Sequence, residues 1–278
     1  MRLLAAALPA ALLLAPGAAS AQERRETTTF LRGDWRLDAG LVAASGAAFL
    51  AGTFALKPSL AQRAPLDGLG HRPRSEPFEI LSDAVVSAGI FGGLAMAKAI
   101  ERGEGRHGLD QWRAPLVLAE SVMLASAIVH VAKNAAGACR PRDWDDSRNR
   151  CDPDRGERHK SAEERLDEAH RSFPSGHTTP LAALAGASAG LWLLPSGRDP
   201  AFFPLTLVTG TLALSMVAIR PLAGAHSWVD TSTGFLLGAS SGFLVSYLHT
   251  RTVSATSPQV SVSTSPVQIS LAAAFLRD

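Results

Sequence analysis

Three groups of polar residues sit where apolar stretches begin or end, and each suits a phosphoryl group. The first closes an apolar run: Lys133, six residues, then Arg140-Pro141. If the helix continues, this spacing puts both cations on one face, two turns apart. Two fixed cations suit a dianionic phosphate, with Arg able to bind two oxygens at once. Taken alone, side chains reaching to an interface are the simpler explanation. The second group opens a run: Ser172-Phe173-Pro174-Ser175-Gly176-His177-Thr178. Pro and Ser are ordinary at a helix start. Gly176 allows close backbone approach, free N–H groups there make an anion site, and His177 could give a proton to a departing oxygen. The third group is Arg220, five residues, His226, three residues, Asp230. An i, i+4 His–Asp pair can share one helix face, and a carboxylate on one ring nitrogen leaves the other as base or nucleophile. A lone pair of this kind is often structural; beside an Arg at a helix mouth it is less often so.

The elements that must carry these groups are apolar. Runs at 39–56, 84–97, 114–132, 178–194, 201–219 and 231–248 are bounded by charges, Pro or Gly, and none alternates as a strand does. Most approach the roughly 20 residues that cross a bilayer, although the second is short. Their Ala, Gly and Ser content suits close helix packing in lipid. The alternative is a soluble all-α domain with fully buried inner helices, but six such runs exceed what one soluble core needs. The expected fold is therefore all-α: a bundle of five or six apolar helices, transmembrane, with the active site at helix ends. Near-balanced charge, 27 basic against 25 acidic residues, argues against nucleic acid as the main partner.

Residues 1–21 read as a secretory signal: a basic start, an apolar run, and Ala19-Ser20-Ala21 before polar residues. An uncleaved anchor is the alternative. Residues 22–252 then form the helical domain, with a charged stretch at 142–172 and a tail at 253–278. The charged stretch reads as a solvated loop with a short helix at 162–169, to which His159 and His170 belong. Its Asp-rich pairs lack the spacing of a calcium loop. The tail is Ser/Thr/Val-rich and is either a small hairpin or disordered.

Together the pattern Lys133-x6-Arg140-Pro141, Pro174-Ser175-Gly176-His177 and Arg220-x5-His226-x3-Asp230 resembles the signature of the type-2 phosphatidate phosphatase superfamily. That superfamily also holds class A acid phosphatases and vanadium haloperoxidases. The resemblance implies a phosphatase acting on a phosphomonoester or diphosphate, with a lipid phosphate as the leading substrate class. It implies that His226 attacks phosphorus to form a phosphohistidine, supported by Asp230, while His177 protonates the leaving oxygen. Lys133, Arg140 and Arg220 would bind phosphoryl oxygens, with Ser175 and the Gly176 amide completing the cradle. No metal or cofactor is expected, and vanadate should inhibit as a phosphate mimic. The family usually has Ser before the third-motif Arg, where this chain has Ile219. A soluble periplasmic acid phosphatase and, less well, a vanadate-dependent haloperoxidase are the competing readings. His130, one turn before Lys133, is left out of the site.

If exported, Cys139 and Cys151 are well placed for a disulfide closing a short loop; two unpaired thiols are the alternative. Export and a disulfide favour a periplasmic site on an inner-membrane protein. Six crossings after a cleaved signal would put the site in the cytoplasm. The expected solution is five crossings and a cytoplasmic tail, with the first run lying at the interface or packing against the bundle.

Overall fold

The computed structural model describes residues 35–60, 63–155, 160–194 and 199–249. The signal expected at 1–21 and the tail at 253–278 lie outside them. Among the described residues the chain is mostly helical. Helix α1 (Trp35–Leu50) runs into a π-helical turn, Ala51–Ala55. It is followed by α2 (Glu76–Gly103), α3 (Arg113–Ala136), a short α4 (Ala162–Ala169), α5 (Thr178–Leu193), α6 (Phe203–Leu222) and α7 (Trp228–His249). The only paired strands among these residues are β1 (Trp144–Asp145) and β2 (Arg150–Cys151), an antiparallel pair within the charged loop.

The second apolar run is longer than its hydropathy suggests. Pro near the first turn of α2, with Glu76 and Glu79 there, suits a helix start, and the helix runs 28 residues. Glu79, Ser82 and Asp83 interrupt the apolar character of its first two turns because they face the site described below. Among the described residues, three segments are long and apolar enough to cross a membrane: Glu76–Gly103, Asp110–Ala136 and Pro200–Leu222. Phe91, Leu207, Leu214, Leu236 and Tyr247 are exposed around the bundle, an apolar perimeter that fits lipid rather than water.

Helix α5 is buried along nearly its whole length, with Leu181 and Leu184 meeting Leu118 of α3 and Met216 of α6 in one core. Its closest partner is α7, which runs parallel to it. A Cβ on Gly238 would lie 2.2 Å from the Thr179 carbonyl oxygen, and one on Gly242 would lie 2.1 Å from that of Ala183. Only Gly permits such approach. In lipid, where no water is released between helices, such van der Waals fit supplies much of the association. At the top of this seam Gly234 touches Ser175, so the packing also sets the second sequence group against the third.

Helices α1, α3 and α6 end at one face of the bundle, and α2, α5 and α7 begin there. The first run packs lengthwise along α3, itself long and apolar enough to cross, so this packing does not bear out the expectation that the run stays out of the membrane. Gly46 faces Met123 and Gly52 faces His130, so α1 lies parallel to α3, and Asn134 Nδ2 donates to the Gly52 carbonyl at 2.6 Å.

Candidate active site

Lys133 sits in the last turn of α3, buried, and its Nζ donates to the Arg171 carbonyl at 2.8 Å. The helix does not carry on to Arg140, as the seven-residue spacing supposed. Gly137 ends it in a left-handed conformation, φ 58°, where a Cβ would lie 2.1 Å from the Ser59 carbonyl oxygen. Arg140 then arrives on extended chain before the 3-10 turn Pro141–Asp143. Both cations nevertheless line one cavity of about 500 Å3, together with Gly176, His177, Arg220 and His226. Arg220, near the end of α6, donates from Nη1 to Ser82 Oγ of α2 at 2.6 Å. Ile219, where the family has Ser, packs on the hydrophobic core, and Ser82 supplies a hydroxyl beside this Arg instead. Ser175 is fully buried and its Oγ accepts from Thr178 N at 3.4 Å and Oγ1 at 3.1 Å, so it serves the start of α5.

His226 lies in the turn before α7, not on the helix, although the i, i+4 relation to Asp230 still brings the two together. Its Nδ1 is 3.6 Å from Asp230 Oδ2. Asp230 Oδ2 also accepts from Ser227 N at 2.8 Å and Ser172 Oγ at 2.5 Å, while Asp230 N donates to Ser227 Oγ at 3.1 Å. This reciprocal Ser227–Asp230 box starts α7 and fixes the carboxylate at the same time. Arg72 pins the turn from outside by donating to the His226 carbonyl at 3.3 Å and pairing with Asp67 at 2.5 Å. Burial, then Lys133, Arg220 and Arg140, hold the His226 imidazole well below its ordinary pKa. A neutral ring with a free lone pair is the form a nucleophile needs.

His177, at the N-cap of α5, pairs through Nε2 with Asp83 Oδ1 of α2 at 2.7 Å. Burial pulls its pKa down to about 4, with Arg220 and Lys133 acting the same way, while Asp83 pulls it up. Sequence reasoning missed Asp83 and Ser82, because they stand just before a run read only for its apolar content. The available signal was an unexplained Ser-Asp pair directly before an apolar run.

The charged stretch is more ordered than a solvated loop. Arg142, Asp143, Asp145 and His170 are buried, and His170 Nδ1 contacts the Leu166 carbonyl at 3.0 Å. Opposite charges supply their own partners: Arg142 pairs with Glu79 and Glu168. The short helix expected at 162–169 is α4, started by a Ser161–Glu164 capping box. His159 lies outside the described residues. From α4, Glu168 reaches Arg140 Nη1 at 3.1 Å and also holds Lys160. Burial alone would raise the Glu168 carboxyl, but Arg140 and Lys160 outweigh it and hold it at about 2. His130, set aside in the sequence, also lines the cavity, with Nδ1 3.1 Å from Thr53 Oγ1.

Cys139 and Cys151 form a disulfide, Cα atoms 5.7 Å apart, tying the Arg140 segment to β2. Reduction should lower stability by about 2–4 kcal/mol. Thermal melts with and without reductant test this, and a Cys139→Ser/Cys151→Ser variant should melt like the reduced protein.

The fold and site define a helical-bundle protein with a cationic cavity lined by three histidines at one end. The sequence profile of the PAP2 superfamily matches residues 114–254, and the chain belongs to that superfamily. Membership implies phosphatase-type hydrolysis of a phosphate ester. No curated protein and no solved structure matches the chain with significance.

Proposed function

We propose that the protein is a membrane-bound phosphatase that hydrolyses a lipid phosphate or diphosphate through a phosphohistidine on His226. The observation that carries this reading is the convergence of Lys133, Arg140, Arg220, His177 and His226 on one cavity at the end of an apolar bundle. Phosphoryl transfer needs positioning and charge stabilisation above all. Here the three cations hold the phosphoryl oxygens, and the Gly176 amide adds a donor at the start of α5. Ser175, expected in the cradle, is buried outside the cavity lining and bound to Thr178, so it shapes the start of α5 rather than facing the phosphate. His226 Nε2 has no protein partner and is free to attack phosphorus in line with the leaving oxygen. Asp230 stabilises the ring as it becomes cationic. His177 delivers the proton to the leaving oxygen, then takes one from the water that cleaves the P–N bond. Every charge in this scheme comes from the chain, so turnover should survive chelators.

We read the site face as periplasmic. The disulfide suits an oxidising compartment. Lys98, Arg102, Arg106 and Arg113 lie at the opposite end of the bundle and suit a cytoplasmic face, while Lys57, Arg63, Arg72 and Arg74 lie at the site end against that tendency.

The experiment is a panel of lipid and soluble phosphates, assayed on purified full-length protein with and without chelator and vanadate. Turnover of long-chain phosphates well above that of soluble esters, inhibited by vanadate and indifferent to chelator, is the expected result. Preference for soluble esters would return the reading to a broad-specificity acid phosphatase.

A further inference from the structure

A second cavity lies on the flank of the bundle, directly below the first. It is a groove of about 570 Å3 between α1 and α3, lined by Ala44 and Ala48 on one side and Leu124, Ala127, Ile128 and Val131 on the other. The groove exists because the α1 side is built from small residues that leave the α3 side chains uncovered. Elsewhere on the described perimeter, Phe91, Leu207, Leu214 and Leu236 stand exposed on α2, α6 and α7.

Its position relates it to the active site. The same pair walls the phosphate cavity one turn higher, through Thr53 and Phe54 in the π-helical turn after α1 and His130 and Lys133 on α3. The two helices are held together there by the Asn134–Gly52 and Thr53–His130 contacts, so the groove is a fixed feature. Phe54, 77% exposed, stands at the junction. From Leu124 to Ala132 the helix rises about 12 Å, close to the depth of one leaflet's hydrocarbon, roughly half of 30 Å.

We infer that the α1–α3 groove receives the hydrocarbon chain of the substrate, a lipid phosphate whose acyl or isoprenoid chain passes over Phe54 while its phosphate sits among Lys133, Arg140 and Arg220. The inference rests on the lipid-phosphatase reading and narrows it, since it requires the enzyme to read chain length. The lining is apolar apart from the Ser45 hydroxyl and offers no charged anchor, so length rather than chain chemistry is discriminated.

The test uses purified full-length protein and monoalkyl phosphates from two to eight carbons, short enough to stay monomeric, with p-nitrophenyl phosphate as the chainless control. A fully buried methylene is worth at most about fourfold in kcat/KM. Wild type should gain about tenfold or more across the series. Ala48→Phe and, separately, Ala44→Phe fill the groove and should flatten that gain, leaving the two-carbon and p-nitrophenyl substrates within about twofold of wild type. A gain kept in both variants overturns the groove, whatever lipid rests in it, while the lipid-phosphatase reading stands. Equal losses on all substrates in both variants make the positions structural and also overturn it. No gain in wild type, with soluble esters still hydrolysed, removes the lipid reading itself.

Discussion

His226→Ala is expected to remove turnover on every phosphate ester, by about 10^4-fold or more. His177 carries its carboxylate, Asp83, on Nε2, whereas His226 has Asp230 near Nδ1 and keeps Nε2 unpartnered. The buried ring is held neutral by its surroundings, and its Nε2 is without a protein partner. Loss of the side chain therefore removes the attacking atom and not merely a contact. Rapid quench in alkali with a phosphate-labelled substrate should trap label on wild type and none on the variant, because a phosphoramidate survives base. Asp230→Asn should keep the label but lose most turnover: the imidazole stays, while its tautomer and developing charge are no longer controlled. Full activity in His226→Ala, or label retained elsewhere, would remove the phosphohistidine mechanism.

The second large effect is expected at His177, and it should depend on the leaving group. His177→Ala should cost about 10^2- to 10^4-fold on alkyl phosphates, whose departing alkoxide needs a proton. An aryl phosphate with a good leaving group should lose tenfold or less on the order-of-magnitude scale set by general-acid catalysis. The pH dependence follows from the sign of the shift. The acid must be protonated to act, and in the free protein its pKa is about 4, held down by burial, Arg220 and Lys133 against Asp83. For alkyl substrates kcat/KM should therefore fall as pH rises above that value. The limb in kcat should lie higher, since a bound phosphate dianion offsets the two cations. Asp83→Asn removes the group that favours the protonated ring, so its kcat/KM limb should move to still lower pH on alkyl substrates. The aryl substrate should barely change. Equal losses on both substrates in His177→Ala would contradict the general-acid role.

Much of this protein was written in its order of residues. The ten motif positions lie where apolar runs start or stop, and helix termini are where backbone donors and charged side chains can meet an anion. The helical bundle followed from the same runs, and the short helix expected at 162–169 is α4, whose Ser161–Glu164 capping box is likewise a local feature. What neighbours along the chain cannot specify is which distant elements meet. Asp83 and Ser82 were hidden because their partners, His177 and Arg220, are 94 and 138 residues away. The charged stretch looked solvated because Arg142 and its partners Glu79 and Glu168 become a buried network only once α2 and α4 flank it. The Lys133–Arg140 geometry was misjudged because Gly137 breaks the helix to let the Ser59 backbone pass, a close approach made by another part of the chain. Small residues on α5 and α7 announce tight packing, yet their pairing, with α1 beside α3, is decided by which faces fit. Residue type and spacing thus determined the chemistry and the helices; only tertiary packing chose the partners, because contact energy depends on shape across space and not on separation along the chain.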